Sequence, residues 1–313
     1  MDSFAINDDD ISDELELEVV DNRKMMIPRN IDSFTVEKRI FETSSSVVVS
    51  AFSPKYFEGK KRVAIKCIPL HNFYQDLPDL LRRFDNPNVL PIYDVFIYPY
   101  EDARFYGIVM PYVETDLFEY FAVKNKYHLS EITVCQIMKE ALSAVSYVHS
   151  EGVCHCDLKL ENFLLTIENS QFRPILIDFD LSLALPNGVD TEEPGRGTKI
   201  YAAPELLYDD VFRFKKIAIF NNKIDTWSMG VMMTTLLIGY NPFHCYQNDQ
   251  DTLNLIKCGI QSNDSRFIAL SPYARDLICK MLCANPNQRF TIEEALNHEW
   301  FTRYLPSHIN NRQ

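Results

Sequence analysis

The chain has 313 residues, of which 46% are hydrophobic, so it can bury a substantial core as one large domain or as two smaller lobes. Its formal net charge of -13 repels nucleic acid and anionic membranes and argues against both as main partners, whereas a basic partner suits such a surface. The longest apolar stretch, around Met229 to Tyr240, is too short to span a bilayer, and no signal peptide is recognisable, which predicts a cytoplasmic or nuclear protein.

The first 31 residues are rich in aspartate and glutamate and contain few aromatic residues. Such a composition buries too little apolar surface to offset the entropy lost on ordering, so residues 1–31 are predicted to form a flexible acidic tail. A regulatory partner, if the protein has one, is expected to contact this tail. A second, short tail is predicted at residues 304–313.

The region that follows the acidic tail, up to about residue 112, is predicted to be mostly β. It contains short runs rich in valine, isoleucine, phenylalanine and tyrosine, which are typical of strands. The clearest of these runs are Val47–Phe52, Val63–Ile68 and Phe105–Met110.

The rest of the chain is predicted to be mostly helical. Ser130 is a suitable helix N-cap, and the apolar residues after it recur at helical spacing as far as Val148, which predicts a long amphipathic helix. Further helices, of which the first is apolar on nearly all sides, are predicted at Trp227–Ile238, Ala274–Leu282 and Ile292–Leu296. The chain is therefore predicted to be an α+β protein with a lobe boundary between Met110 and Leu117.

The eight cysteines are scattered without C-x-x-C spacing, which predicts reduced and mostly buried thiols rather than a disulfide framework. The cluster Cys154, His155 and Cys156 has the residue types of a metal site. Adjacent residues seldom converge on one ion, and no second ligand group lies at a suitable spacing, so a metal site is not predicted there.

Three motifs carry the charged groups that could act on a phosphate: Val63-Ala64-Ile65-Lys66, His155-Cys156-Asp157-Leu158-Lys159-Leu160-Glu161-Asn162, and Ile175-Leu176-Ile177-Asp178-Phe179-Asp180. Phosphoryl transfer needs a cation on the phosphates, oxygen ligands for magnesium and an acceptor for the hydroxyl proton, and these motifs offer each of them. Three structural motifs follow them, Ala203-Pro204-Glu205, Asp225 to Gly230, and Arg289. In this order, from about Phe34 to Phe301, the motifs resemble those of the eukaryotic protein kinase family. By this resemblance, Ala203-Pro204-Glu205 would end the activation segment, and Arg289 would pair with Glu205. The helix over Asp225 to Gly230 would anchor the catalytic loop, which is the motif from His155 to Asn162.

This resemblance implies a two-lobed protein kinase fold over residues 32–303. Its small N-lobe, at about 32–112, would be mostly antiparallel β, and its larger C-lobe, at about 113–303, mostly α. The resemblance is greatest to calcium/calmodulin-dependent-like kinases, judged by Leu236-Leu237-Ile238-Gly239, Pro242-Phe243 and His298-Glu299-Trp300-Phe301.

The resemblance further implies a serine/threonine kinase that uses ATP and Mg2+ on a protein substrate. By motif, Asp157 accepts or orients the substrate hydroxyl and Lys159 neutralises charge on the transferred phosphoryl group. Lys66 would contact the α- and β-phosphates, and Asn162 and Asp178 would bind magnesium. Val48 and Ala64 would also bind the nucleotide. Met110 would lie behind the adenine, although an ordinary core role for this methionine is about equally expected, and Pro111 and Val113 would bind the adenine through their backbones.

The glycine-rich loop of the family is absent here, because its three glycines align with Phe41, Thr43 and Ser46. Glycine lets the backbone approach phosphates closely, so the sequence predicts weaker ATP binding or slower turnover. The sequence leaves open whether Lys66 forms its ion pair with Asp76 or whether this ion pair is lost. Leu77 aligns with the glutamate that the family uses here, and Pro78 follows it.

Two substitutions concern regulation. Cys156 replaces an arginine that binds a phosphorylated activation loop in many kinases, which predicts that this form of switching is absent. Asp180 replaces a glycine and adds negative charge near the metal ligands. Thr198 matches a threonine of the family that hydrogen-bonds the aspartate and the lysine at the positions of Asp157 and Lys159. The missing glycines, the uncertain partner of Lys66 and Asp180 leave a pseudokinase, acting as a binding or scaffolding module, as the alternative hypothesis.

Overall fold

A computed structural model describes residues 14–17, 25–43, 45–52, 62–70, 77–185, 191–194, 196–206, 217–244, 256 and 264–305. The chain divides into two compact units. The first comprises residues up to Arg83 together with Pro91–Tyr112, and the second comprises Phe84–Leu90 and the residues from Val113 onward. Among the described helices, none has both the length and the apolar character required to cross a membrane.

The first unit is built on an antiparallel six-stranded sheet with the strand order β3-β4-β5-β6-β8-β7. The strands are β3 (Asn30–Ile31), β4 (Phe34–Glu42), β5 (Val47–Phe52), β6 (Arg62–Pro69), β7 (Asp94–Tyr100) and β8 (Ala103–Pro111). A separate hairpin pairs β1 (Glu14–Leu17) with β2 (Met25–Pro28). The predicted strands in this region are thus confirmed. The segment predicted as a flexible tail contains β1, β2 and β3, so part of its backbone is paired.

Alternation along the strands separates a core face from an outer face. On β5, Val47, Val49 and Ala51 are buried in an apolar cluster, whereas Val48 points to the opposite side. β6 contributes Val63, Ile65 and Cys67 to the same cluster in the same way. The cluster is completed by Ile31, Phe34, Val36, Tyr98, Phe105 and Val109.

The first unit also contains helix α1 (Leu77–Arg83). Pro78 lies in its first turn, where a missing backbone N–H leaves no intrahelical hydrogen bond unmade. The proline therefore begins a helix instead of interrupting one. Asp76, the candidate partner of Lys66, lies outside the described residues.

The second unit is mostly helical, as predicted. Its helices are α2 (Leu117–Glu119), which continues as a π-helical turn over Tyr120–Lys124, α3 (Glu131–Ser150), α4 (Lys223–Ile238), α5 (Ser265–Ile268), α6 (Pro272–Met281), α7 (Ile292–Leu296) and α8 (Glu299–Tyr304). Three two-stranded sheets accompany them, pairing β9 (Val153–Cys154) with β12 (Leu183–Ala184), β10 (Phe163–Glu168) with β11 (Gln171–Leu176), and β13 (Thr191–Pro194) with β14 (Ile217–Phe220).

Two helices form the frame on which the site is built. The hydroxyl of Ser130 accepts a hydrogen bond from the N–H of Thr133, which caps α3 as the sequence predicts. Helix α4 is buried along nearly its whole length and ends at Gly239, whose φ of 92° is the left-handed conformation that terminates many helices. Both helices are long enough to hold distant loop residues in fixed positions.

Candidate active site

In the first unit, four residues predicted to bind the nucleotide lie on one face of the sheet. Val48 pairs with Lys66 across β5 and β6, and Ala64 pairs with Met110 across β6 and β8. Directly paired residues, and residues two apart on one strand, point to the same face. The register therefore brings these four side chains together on the face opposite the apolar cluster. Met110 is accordingly not part of that cluster.

The backbone positions predicted to bind adenine lie at and after the end of β8. Pro111 is the last residue of this strand and pairs with Val63. Val113 follows two residues later, at the start of the second unit's main segment. Their role as a carbonyl acceptor and an amide donor stays a prediction.

The loop that replaces the glycine-rich segment joins β4 to β5 and is closed by its own hydroxyl groups. The N–H of Thr43 donates to the carbonyl oxygen of Ser46 at 2.8 Å. In return, the Thr43 hydroxyl oxygen accepts from the N–H groups of Ser45 at 3.2 Å and of Ser46 at 3.0 Å. Phe41, in place of the first glycine, pairs with Val48 and is 56% exposed.

In the second unit, the carboxylate of Asp157 is held by three side chains of the catalytic motif and its surroundings. Its Oδ1 accepts from the hydroxyl of Thr198 at 2.7 Å, and its Oδ2 accepts from Nζ of Lys159 at 2.8 Å. Asn162 donates to the Asp157 carbonyl oxygen at 2.7 Å and, more weakly, to Oδ2 at 3.3 Å. Lys159 also donates to Thr198 at 3.2 Å, as the family motif predicts. The carboxylate is thus fixed in position and charge-paired.

The loop that carries Asp157 is anchored by a fully buried carboxylate on α4. Asp225 accepts hydrogen bonds from the backbone N–H groups of His155 at 2.8 Å and Cys156 at 2.9 Å. The ring of His149, at the end of α3, contacts the same carboxylate at 2.8 Å. Burial alone raises the pKa of Asp225, but the hydrogen bonds and charge of the two histidines and the backbone donors outweigh it, so the net shift of this pKa is downward.

The two predicted magnesium ligands are brought together by the backbone. The N–H of Ile177 donates to the carbonyl oxygen of Asn162 at 3.0 Å, which places Asp178, the next residue, beside Asn162. Because the amide nitrogen of Asn162 is used by Asp157, its amide oxygen is the atom suited to ligate a cation. One carboxylate and one amide oxygen form a hard donor set, which fits Mg2+.

Phe179, the residue after Asp178, packs against two other rings. Its ring lies 5.0 Å from that of Phe84 and 4.9 Å from the imidazole of His155, measured between centroids. His155 is further fixed by a 2.9 Å hydrogen bond to the carbonyl oxygen of Ile177. Asp178, which has a φ of 65°, therefore lies between two residues, Ile177 and Phe179, that are each held by these contacts.

The structural motifs form the expected ion pair. Arg289, which is 1% exposed, binds both carboxylate oxygens of Glu205 at 2.7 and 2.8 Å. It also donates to the carbonyl oxygens of Lys223 and Cys283, and its guanidinium lies over the ring of Trp227 at 5.1 Å. The predicted pairing of Glu205 with Arg289 is confirmed.

At the cysteine cluster, the structure differs from the sequence-based expectation that no second group of possible metal ligands lies nearby. A second group does approach it, because His149, Cys154 and Asp225 offer ligand atoms within 4.8 Å of one another. The Asp225 carboxylate is, however, already occupied by His149, the Cys154 thiol and two backbone N–H groups. These groups satisfy one another's hydrogen-bonding capacity and hold the loop that carries Asp157 in place. Among the described residues, Cys67, Cys135, Cys154 and Cys156 are free and buried, as predicted.

Sequence reasoning missed His149 and Phe84 as supports of the site. His149 precedes His155 by only six residues, at the end of the predicted helix, which is a signal that could have been read. Phe84 lies far from the catalytic motifs in sequence, and nothing local marks it. The predicted site residues are thus assembled in two groups, Lys66 with Val48, Ala64 and Met110 in the first unit, and Asp157 with Lys159, Asn162 and Asp178 in the second.

Comparison with known proteins agrees with this geometry. A curated relative, calcium-dependent protein kinase 5 of Plasmodium falciparum (isolate 3D7), is 31% identical over 324 residues, which cover 98% of this chain and 53% of the relative. The chain thus spans about half the length of the curated relative that it matches. The family model for the protein kinase domain matches residues 34–301. This chain therefore belongs to the protein kinase family.

Proposed function

We propose that this chain is an active serine/threonine kinase that transfers the γ-phosphate of ATP to a hydroxyl group of a protein substrate. The observation that carries the proposal is the Asp157 carboxylate, which Thr198, Lys159 and Asn162 hold at hydrogen-bonding distance. A module that only binds has no need for this arrangement. Retention of the charged groups that the chemistry needs, Lys66, Asp157, Lys159 and Asp178, therefore favours catalysis over the pseudokinase alternative.

In the proposed reaction, Asp157 receives the proton of the substrate serine or threonine hydroxyl. The hydroxyl oxygen then forms a bond to the γ-phosphorus, while the bond from this phosphorus to the β–γ bridging oxygen breaks and ADP leaves. Lys159, 2.8 Å from the carboxylate, stabilises the charge on the transferred group, and Thr198 keeps Asp157 oriented. Lys66 is assigned to the α- and β-phosphates by its motif and by its position beside Val48.

Asn162 and Asp178 would hold Mg2+, which neutralises charge on the phosphates when it is bound. Val48, Ala64 and Met110 would provide apolar contacts to the nucleotide, and Pro111 and Val113 its backbone hydrogen bonds. The net charge of -13 favours substrates with basic residues near the acceptor and disfavours nucleic acid and anionic membranes. A cytoplasmic or nuclear location is also proposed, since free and buried thiols such as Cys67 and Cys135 suit a reducing compartment.

The test compares the purified wild-type chain with Asp157→Asn, which preserves shape but removes the proton acceptor. Transfer of labelled phosphate from MgATP to a peptide library is measured. Loss of a general base lowers kcat by about 100-fold to 10,000-fold, so the variant should approach background. Asp102→Asn, on an exposed turn, is the matched control and should retain wild-type kcat. If the wild type and Asp157→Asn both incorporated labelled phosphate only at the background level, the proposed kinase activity would be rejected.

A further inference from the structure

We infer that Thr43 acts as an internal competitor for phosphate, because its hydroxyl oxygen caps the two backbone N–H groups of the loop that would otherwise receive the nucleotide's phosphates. The inference rests on the proposed use of ATP. It goes beyond the absence of glycine, since it assigns the expected weakening of ATP binding to one atom.

The hydrogen bonds of the loop converge on that atom. The N–H groups of Ser45 and Ser46 both point to the Thr43 hydroxyl oxygen, at 3.2 and 3.0 Å. The hydroxyl groups of Ser45 and Ser46 also lie 3.2 and 3.1 Å from it. Two consecutive N–H groups that converge on one point form the kind of concavity in which proteins bind anions. Here a neutral oxygen from the same loop fills that concavity.

Two backbone contacts of the loop do not involve this oxygen, although the Thr43 hydroxyl also donates to the Ser46 carbonyl oxygen at 3.3 Å. Thr43 N–H still donates to the Ser46 carbonyl oxygen at 2.8 Å, and the pairing of Glu42 with Val47 continues into β4 and β5. Ser46, which is 3% exposed, is packed into the base of the loop. Removal of the hydroxyl therefore frees two amide donors and deletes one weak hydrogen bond to Ser46, while the backbone hydrogen bond between Thr43 and Ser46 does not depend on it.

An incoming phosphate must displace the Thr43 hydroxyl before it can bind these donors. Each hydrogen bond that is broken subtracts from the binding free energy that the charge-assisted bond to phosphate supplies. The cost applies only to ligands that carry phosphate. Adenosine, which has none, should bind equally well whether or not the cap is present.

The experiment measures dissociation constants of MgATP and adenosine for the full chain by calorimetry. Thr43→Val keeps the side-chain shape but removes the acceptor, and it should tighten MgATP binding by about threefold to tenfold while the adenosine affinity stays constant. Thr43→Ser retains the acceptor and should match wild type. Thr35→Val, elsewhere on β4, controls for the same exchange at a distance from the loop.

Circular dichroism establishes that each variant is folded. MgATP binding by Thr43→Val that is equal to or weaker than that of a wild type with measurable affinity would overturn the role of Thr43 and leave the proposed kinase activity intact. If neither the folded wild type nor any folded variant binds MgATP, both the inference and the proposed function fail.

Discussion

Gly197 shows how one residue can control the geometry of the catalytic loop. Its φ is +95°, a conformation that favours glycine, and a β-carbon there would lie 2.5 Å from the carbonyl oxygen of Cys156. Cys156 cannot easily move away, because its N–H is bound to Asp225 and its own φ is 67°. Thr198, the next residue, donates to Asp157. Backbone strain at Gly197 would therefore be transmitted directly to the Asp157 carboxylate, the proposed proton acceptor.

Gly197→Ala is expected to lower kcat by at least about tenfold, because the added methyl group displaces either Thr198 or the loop that carries Asp157. The left-handed conformation alone costs about 1–2 kcal/mol for a residue with a β-carbon. Steady-state kinetics and urea unfolding together check this. Ala203→Gly, in the same segment, serves as a comparison for altered backbone entropy without a clash. Unchanged kcat in Gly197→Ala would show that the segment adapts to the side chain.

At the scale of secondary structure, α4 connects separate parts of the second unit through one carboxylate and one backbone carbonyl at its N-terminal end. Asp225, in its first turn, fixes the catalytic loop, and the carbonyl oxygen of Lys223 accepts from Arg289. Arg289 in turn binds Glu205, which ends the activation segment. Because both the arginine and the helix are buried, loss of one partner leaves a charge without compensation.

Glu205→Gln is expected to lower the free energy of unfolding by about 3–5 kcal/mol, because it leaves the Arg289 guanidinium buried with a neutral partner. Chemical denaturation monitored by tryptophan fluorescence is a suitable measurement, since Trp227 lies against this arginine. The matched control is Asp79→Asn, which removes the partner of the exposed Arg82 and should change stability by less than about 1 kcal/mol. Similar losses in both variants would contradict a special role for the buried pair.

For the molecule as a whole, acid should be a strong denaturant. The pKa of Asp225 is lowered from 3.8, since hydrogen bonds and charge from His149 and His155 and the backbone donors outweigh the opposing effect of burial. The pKa of Asp276 is also lowered, mainly by its hydrogen bond to Lys280; burial opposes this shift, and the hydrogen bond to His298 adds to it. A carboxyl group with a lowered folded-state pKa stabilises the fold above its unfolded pKa, and that contribution disappears as the pH falls through the folded value.

The melting temperature is therefore expected to fall as the pH drops below about 4, because the unfolded state then binds protons that the folded state excludes. Differential scanning calorimetry between pH 7 and pH 3 measures this dependence. Asp225→Asn should be less stable at pH 7 and should show a shallower fall, since it lacks the titrating group. A pH profile of Asp225→Asn parallel to that of wild type would mean that Asp225 does not contribute to the acid transition.

The sequence by itself determined the three strands Val47–Phe52, Val63–Ile68 and Phe105–Met110, the long helices, the catalytic motifs and the family, because these depend on local periodicity and on residues a few positions apart. Ser130 as a helix cap and the alternation of Val47 to Phe52 are signals of this kind. Only the tertiary structure decided several contacts that support the site: His149 against Asp225, Phe84 against Phe179, and the Thr43 hydroxyl over two loop amides. These contacts depend on which side chains meet after the chain has folded, and an individual hydrogen bond between residues such as His149 and Asp225, 76 positions apart, leaves no pattern in the sequence around either one.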